Sequence, residues 1–109
     1  MWRCSVCGLI YDGEEPPEVC PKCGASKDKF EKVPEDKETL INRSRCTNGL
    51  HMKIYGLLTE LKDLAQKGLD DDLDPGCVKI FKKEKEEAEI LQRMIMAELT
   101  VHMNKSKWG

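Results

Sequence analysis

The sequence predicts a small metal-bound, β-rich unit followed by an all-α antiparallel helical hairpin. Three features carry that reading. Four of the six cysteines form two Cys-x-x-Cys-Gly units, Cys4/Cys7 before Gly8 and Cys20/Cys23 before Gly24, with twelve residues between them. From about Thr47 onward, apolar residues recur at three- and four-residue steps, the period of a helix with one buried face. Asp74-Pro75 then divides that stretch in two, with a capping carboxylate followed by proline in a first helical turn. The boundaries that follow are a metal-binding domain over 1–33, a polar linker over 34–46 and the hairpin over 47–109.

Each cysteine pair is short enough to fold as a tight turn that aims two sulfurs at one spot. The intervening segment is long enough for a hairpin that brings the two turns face to face. Four converging thiolates suit zinc or a single iron. Gly8 and Gly24 fall where such a turn doubles back through a backbone angle that a side chain resists. Amides aimed at the sulfurs spread their negative charge and raise the potential of an iron site. Pro21 stiffens the second turn, and Pro16-Pro17 keep the linking segment extended. Asp12-Gly13 ends a first strand drawn from Trp2 to Tyr11, with the first turn inside it. Trp2, Tyr11 and Phe30 form the small core. Roughly thirty residues bury too little apolar surface to fold alone, so the metal supplies much of this unit's stability.

The stretches CGLIYDG, CPKCGASKDKF and the Phe30-Glu31-x-Val33 tail resemble rubredoxin. The short gap between the pairs resembles the compact rubredoxin domain of the rubrerythrins, which also begins with Trp-x-Cys. The resemblance covers about the first third of the chain. It implies one iron ion per chain, held by Cys4, Cys7, Cys20 and Cys23 and cycling between Fe3+ and Fe2+ as a one-electron carrier. Spacing alone does not separate this from a structural zinc ribbon, which shares the ligand set; the extended resemblance favours iron. Two residues depart from the pattern. Leu9 stands where an aromatic is common, and Lys22 lies between the second pair of cysteines, where an apolar residue is usual. A charge so near the iron favours the reduced state and admits water. A disulfide framework is disfavoured, because no secretory signal precedes the cysteines.

Composition excludes several classes. A formal net charge of -2 with 35% charged residues argues against a nucleic-acid surface. No apolar run approaches the length of a membrane span. The chain is expected in the cytoplasm, where thiols stay reduced.

Along the rest of the chain, Pro34-Glu35-Asp36 starts a short helix within the linker, which Leu40 and Ile41 dock. The first long helix is expected from Thr47 to Lys67, with Leu50, Ile54, Leu57, Leu58, Leu61, Leu64 and Ala65 on one face. Gly68-Leu69 is its stop and Asp70 to Asp72 a solvated loop. The second helix is expected from Pro75 to Asn104, about 45 Å at ~1.5 Å per residue. Its first half is charged and its second half broadly apolar, wider than one partner helix covers. A homodimeric four-helix bundle is the expected consequence, against a monomer in which the linker or metal unit covers that face.

The second helix offers a candidate second site. Glu84, Glu87, Leu91, Glu98 and His102 project in nearly one direction at about 100° per residue. Two copies of Glu98 and His102, with Glu60 or His51 from the first helix, would resemble the di-iron site that rubrerythrins join to a rubredoxin unit and use to reduce peroxide. The Glu-x-x-His spacing of such sites is missing, since Glu98 and His102 are four apart. Pairing at a helix end is the plainer reading, with His51 an ordinary boundary residue. Cys46 and Cys77 fall near opposite ends of the hairpin and read as free thiols. The chain therefore reads as an electron carrier rather than an enzyme. Its partners are a redox donor, flavin- or NAD(P)H-linked, and an acceptor protein. The competing readings are a zinc-stabilised interaction module and a small di-iron peroxidase.

Overall fold

A computed structural model describes residues 1–109. The chain divides into two compact units, Met1–Arg45 with Ser106–Gly109, and Cys46–Lys105.

The first unit is built on a three-stranded antiparallel sheet of β1 (Trp2–Cys4), β2 (Ile10–Tyr11) and β3 (Phe30–Lys32), in the order β2-β1-β3. The stretch read as one strand from Trp2 to Tyr11 is therefore two. The first cysteine turn reverses the chain, so that Trp2 pairs with Tyr11 and Arg3 with Ile10. On the other edge of β1, Trp2, Arg3 and Cys4 pair with Lys32, Glu31 and Phe30. A short 3-10 turn, Lys27–Lys29, leads into β3. Cys4, Cys20 and Phe30 are the buried centre, flanked by Trp2, Tyr11, Leu9 and Ala25. The expected aromatic trio is present, and the metal-ligating sulfurs are themselves part of the core. In a unit this small there is little else to bury.

The linker is the main departure from the sequence reading. Helix α1 runs without interruption over Glu35–Asp71, so residues 35–46 are its opening turns rather than a polar bridge. The physical reason is visible in hindsight: Glu35 to Asn48 contains neither glycine nor proline. Glu35, Asp36 and Glu38 sit in the first turn, where carboxylates oppose the helix dipole. The amide of Glu38 bonds the carbonyl of Pro34 at 2.8 Å, closing the first turn. Ile41 docks the start of the helix and is fully buried, whereas Leu40 is not. Arg45 donates to Asn42 Oδ1 and holds Asp12 through two contacts of 2.9 Å.

In the second unit, α1 continues to Asp71 and α2 spans Pro75–Asn104. Asp74 caps α2 by accepting from the Gly76 amide at 3.0 Å, with Pro75 in the first turn, as the sequence implied. Gly68 is not the helix stop. The left-handed residue is Asp72, at φ 48°, and Asp70 and Asp71 are helical. Gly68 instead leaves room for a ring: a Cβ there would lie 2.3 Å from Phe81 Cε2.

The seam between the two helices is small and polar as much as apolar. Leu58, Ala88 and Ile95 form its apolar centre, with Leu99 against it. Gln92 is 5% exposed and donates to the Tyr55 carbonyl (3.1 Å) and Thr59 Oγ1 (2.8 Å), while its Oε1 accepts from Lys62 Nζ (2.9 Å). Lys85 donates to Gln66 Oε1 at 2.6 Å. Of the seven residues assigned to the buried face of the first helix, Leu58 and Ala65 are buried; Leu50, Ile54, Leu57, Leu61 and Leu64 are exposed. No helix is long and apolar enough to cross a membrane.

Candidate metal centre

Two backbone loops of the same design present the sulfurs. In the first, the Cys4 amide bonds the Leu9 carbonyl (2.9 Å) and the Gly8 amide bonds the Cys4 carbonyl (2.8 Å). In the second, Cys20 and Ala25 make the equivalent bond at 2.7 Å, and the Gly24 amide bonds the Cys20 carbonyl at 2.9 Å. Gly8 and Gly24 both adopt φ +76°, the left-handed conformation expected from their position. Two further contacts fasten the loops. Ser5 donates through both its amide and its hydroxyl to the Lys29 carbonyl, and Val19 bridges Ser26 across the base of the second loop.

The sulfurs of Cys4, Cys7, Cys20 and Cys23 all lie within 4.8 Å of one another. Cys4 to Cys23 and Cys7 to Cys20 are 3.7 Å apart, and all six cysteines of the chain are free. That separation is far beyond the ~2.05 Å of a disulfide. It matches the edge of a tetrahedron about 3.8 Å long, which metal–sulfur bonds of about 2.3 Å produce. The donor set thus fits a tetrahedral tetrathiolate metal ion.

The electrostatics point the same way. Burial opposes ionisation of Cys20, but amides of Cys23 and Lys22 and the neighbouring thiols of Cys23 and Cys7 outweigh it, bringing Cys20 down to about 7. At Cys23 the Ala25 amide draws the thiol down, yet burial and the sulfurs of Cys20, Cys7 and Cys4 push it up to about 12. One thiolate forms readily and then resists the ionisation of its neighbours. A cation at the centre removes that conflict, so metal binding releases protons. Exposure is uneven: Cys4 and Cys20 are buried, Cys7 is half-buried and Cys23 is exposed. Lys22 donates from Nζ to the Cys7 carbonyl at 3.3 Å, which places its charge at the rim of the centre. The sequence marked Lys22 as a nearby charge, but not its acceptor.

Glu98 and His102 meet each other rather than forming a second centre in one chain. His102 Nε2 lies 3.1 Å from Glu98 Oε1, and its Nδ1 lies 2.5 Å from Asn48 Oδ1. Four residues advance a helix by about 400°, so the two side chains diverge by about 40°. His102 turns into the seam at 7% exposure, while Glu84, Glu87 and Glu98 remain exposed. His51 lines the same groove as Glu98, whereas Glu60 is exposed outside it. The four cysteines are the one group of three or more potential ligands that the chain gathers. Asn48 was missed from sequence, because its partner is 54 residues away.

Comparison with known proteins covers this same segment. A family model described as the rubrerythrin rubredoxin-like domain matches residues 2–31. Reverse rubrerythrin-1 of Clostridium acetobutylicum is 57% identical over 37 residues, covering 34% of this chain and 20% of that protein. Rubrerythrin of Nitratidesulfovibrio vulgaris is 47% identical over 30 residues, 28% of this chain and 16% of that protein. The chain thus spans a fifth or less of the length of these two relatives. Rubredoxin-1 of Alcanivorax borkumensis is 47% identical over 49 aligned residues, which cover 29% of this chain but 91% of that protein. No solved structure matches. Through its first third, which carries a complete four-cysteine centre of the rubrerythrin type, the chain belongs to the rubredoxin family.

Proposed function

We propose that the chain is a one-electron carrier in which a single iron bound by Cys4, Cys7, Cys20 and Cys23 serves a redox or peroxide-defence chain. The observation that carries this is the convergence of four free thiols at tetrahedral separations inside a rubredoxin-family domain. When bound, iron supplies one ferric/ferrous couple.

The chain's own residues do the rest. Cys4 and Cys20, buried against Phe30, keep water from one side of the centre. Cys23 is exposed, and Val6 and Val19, the residues just before Cys7 and Cys20, are 63% and 59% exposed. Exposed apolar side chains on the ligand loops together with an accessible sulfur suit brief docking of an electron donor and then of an acceptor. The donor is a flavin- or NAD(P)H-linked reductase, and the setting is the cytoplasm. Amides directed at Cys20 and Cys23 share the thiolate charge, and Lys22 adds a cation at the rim. Both favour the more negative, reduced centre.

The same sulfur geometry also accommodates zinc, and the alternative role is then a colourless, redox-silent interaction module. A visible spectrum with metal analysis on protein produced in iron-replete, zinc-poor medium separates the two. One iron per chain with a red ferric thiolate spectrum that bleaches with dithionite supports the carrier. Colourless zinc protein that rejects iron on refolding overturns it. Peroxide turnover by protein holding more than one iron per chain would favour the di-iron peroxidase instead.

A further inference from the structure

The hairpin carries two adjacent seams on each helix and uses only one. On α2, Phe81, Lys85, Ala88, Gln92, Ile95 and His102 face α1; all are buried or half-buried. One position before these runs a second series at the same four-three spacing, in which Ile80, Leu91, Met94 and Val101 are exposed and alternate with exposed Glu84, Glu87 and Glu98. On α1 the used positions include Asn48, Leu58, Lys62 and Ala65, and the second series is Leu50, Ile54, Leu57, Leu61 and Leu64. The two unused series share one side of the hairpin. They jointly line two grooves of about 680 and 410 Å3, the first with Leu61 and Ile80, the second with Ile54 and Met94. Leu58 and Leu91 form the ridge common to both. The other side, around Lys62, Glu89, Gln92 and Arg93, is polar.

We propose that this face is the interface of an isologous dimer, a second copy of the chain completing a four-helix bundle. Helices that touch two neighbours carry two such series; helices in a two-helix hairpin need one. The nine exposed apolar side chains are 36% to 60% accessible. Together they present roughly 800 Å2, the area each partner of a standard stable interface buries, and more than a monomer commonly leaves in one patch. Two grooves meeting at a central ridge are self-complementary: a two-fold axis at Leu91 lays the first groove of each copy on the second groove of the other. Glu84 and Glu98 lie seven residues from Leu91 on opposite sides of it, so the same axis sets these two carboxylates level with each other across the interface, with Lys83 one residue further out. This inference is independent of which metal the cysteines hold.

The test uses the full chain with its centre filled by zinc, which keeps iron chemistry out of the readout. Sedimentation equilibrium at high-micromolar concentration is expected to give twice 12.4 kDa. Ile54→Glu with Leu91→Glu is expected to halve that mass, while Met96→Glu, on the polar side, leaves it unchanged. Footprinting by methionine oxidation reads the face without substitution, so the proposal stands or falls even if a variant misfolds. Met94 and Met96 are 60% and 55% exposed in one chain. Met94 is expected to become at least several-fold slower than Met96 as concentration rises. A 12.4 kDa wild-type species, a dimer that survives the double substitution in folded protein, or equal oxidation of Met94 and Met96 at all concentrations overturns the assignment.

Discussion

Replacing Gly8 by alanine isolates one physical cause in the metal centre. A Cβ at Gly8 meets nothing within 4 Å, so no clash contributes, while φ +76° is a conformation that L-residues avoid. The left-handed region costs a non-glycine residue roughly 1–2 kcal/mol. Folding of so small a unit is coupled to metal binding, so this cost appears in affinity. At about 1.4 kcal/mol per tenfold, Gly8→Ala is expected to weaken zinc binding about 5- to 30-fold in a chelator competition. Gly24→Ala, at the same φ and in the same open space, is expected to behave alike. Asparagine visits the left-handed region more readily, so Gly8→Asn loses less than Gly8→Ala despite its larger side chain. Unchanged affinity in Gly8→Ala, or a greater loss with asparagine than with alanine, refutes the backbone explanation.

Other outcomes follow from the same contacts. Chelating the metal is expected to abolish the order of the first thirty residues while most far-UV helical signal survives, as two-probe circular dichroism would show. Gly56→Ala, in open space on α1, is expected to raise thermal stability by up to about 1 kcal/mol. Gly68→Ala meets the Phe81 ring at 2.3 Å and is expected to lower it, since overpacking costs about 1–3 kcal/mol and exceeds the propensity gain. Gln92→Ala is expected to cost roughly 1–3 kcal/mol by denaturant unfolding, as the Tyr55 carbonyl, Thr59 and Lys62 lose their partner. Asp12 is held below the usual carboxylate range, chiefly by its hydrogen bond from Arg45. Its folded value lies below the unfolded one, so its contribution is present above about pH 4 and is lost as pH falls through the lowered value. Both side chains are more than a third exposed, which limits that contribution to at most about 1 kcal/mol. Asp12→Asn is expected to flatten that part of an acid titration.

The metal centre was legible because its chemistry constrains neighbours in the chain. Each loop must turn within four residues, and each turn needs its glycine at a fixed offset, so Cys4 to Gly8 and Cys20 to Gly24 can be read without knowing the fold. The start of α2 was legible for a similar local reason, the Asp74-Pro75 pair. The start of α1 was not. High charge from Lys32 to Arg45 suggested a bridge, but charge does not end a helix, and no proline stands after Pro34 to break one. Gly68 was misread for the opposite reason. Glycine beside a polar run resembles a stop, and only the position of Phe81, thirteen residues later, shows that its missing side chain makes room for a ring. The hairpin seam was hardest. Its specificity lies in non-local polar pairs, Asn48 with His102 and Gln92 with Thr59, and no periodicity of apolar residues announces these. The apolar width of both helices was visible from sequence. Which part of it faces the partner helix was not, because that choice rests on those pairs.

Reductive titration of the iron-loaded chain, followed by its visible absorption, tests the central claim most directly. The account predicts that one reducing equivalent per chain bleaches the ferric thiolate bands, reversibly, along a one-electron Nernst line with a slope of about 59 mV per decade. A centre that takes up no electron, or that loses its metal on the first reduction, contradicts it.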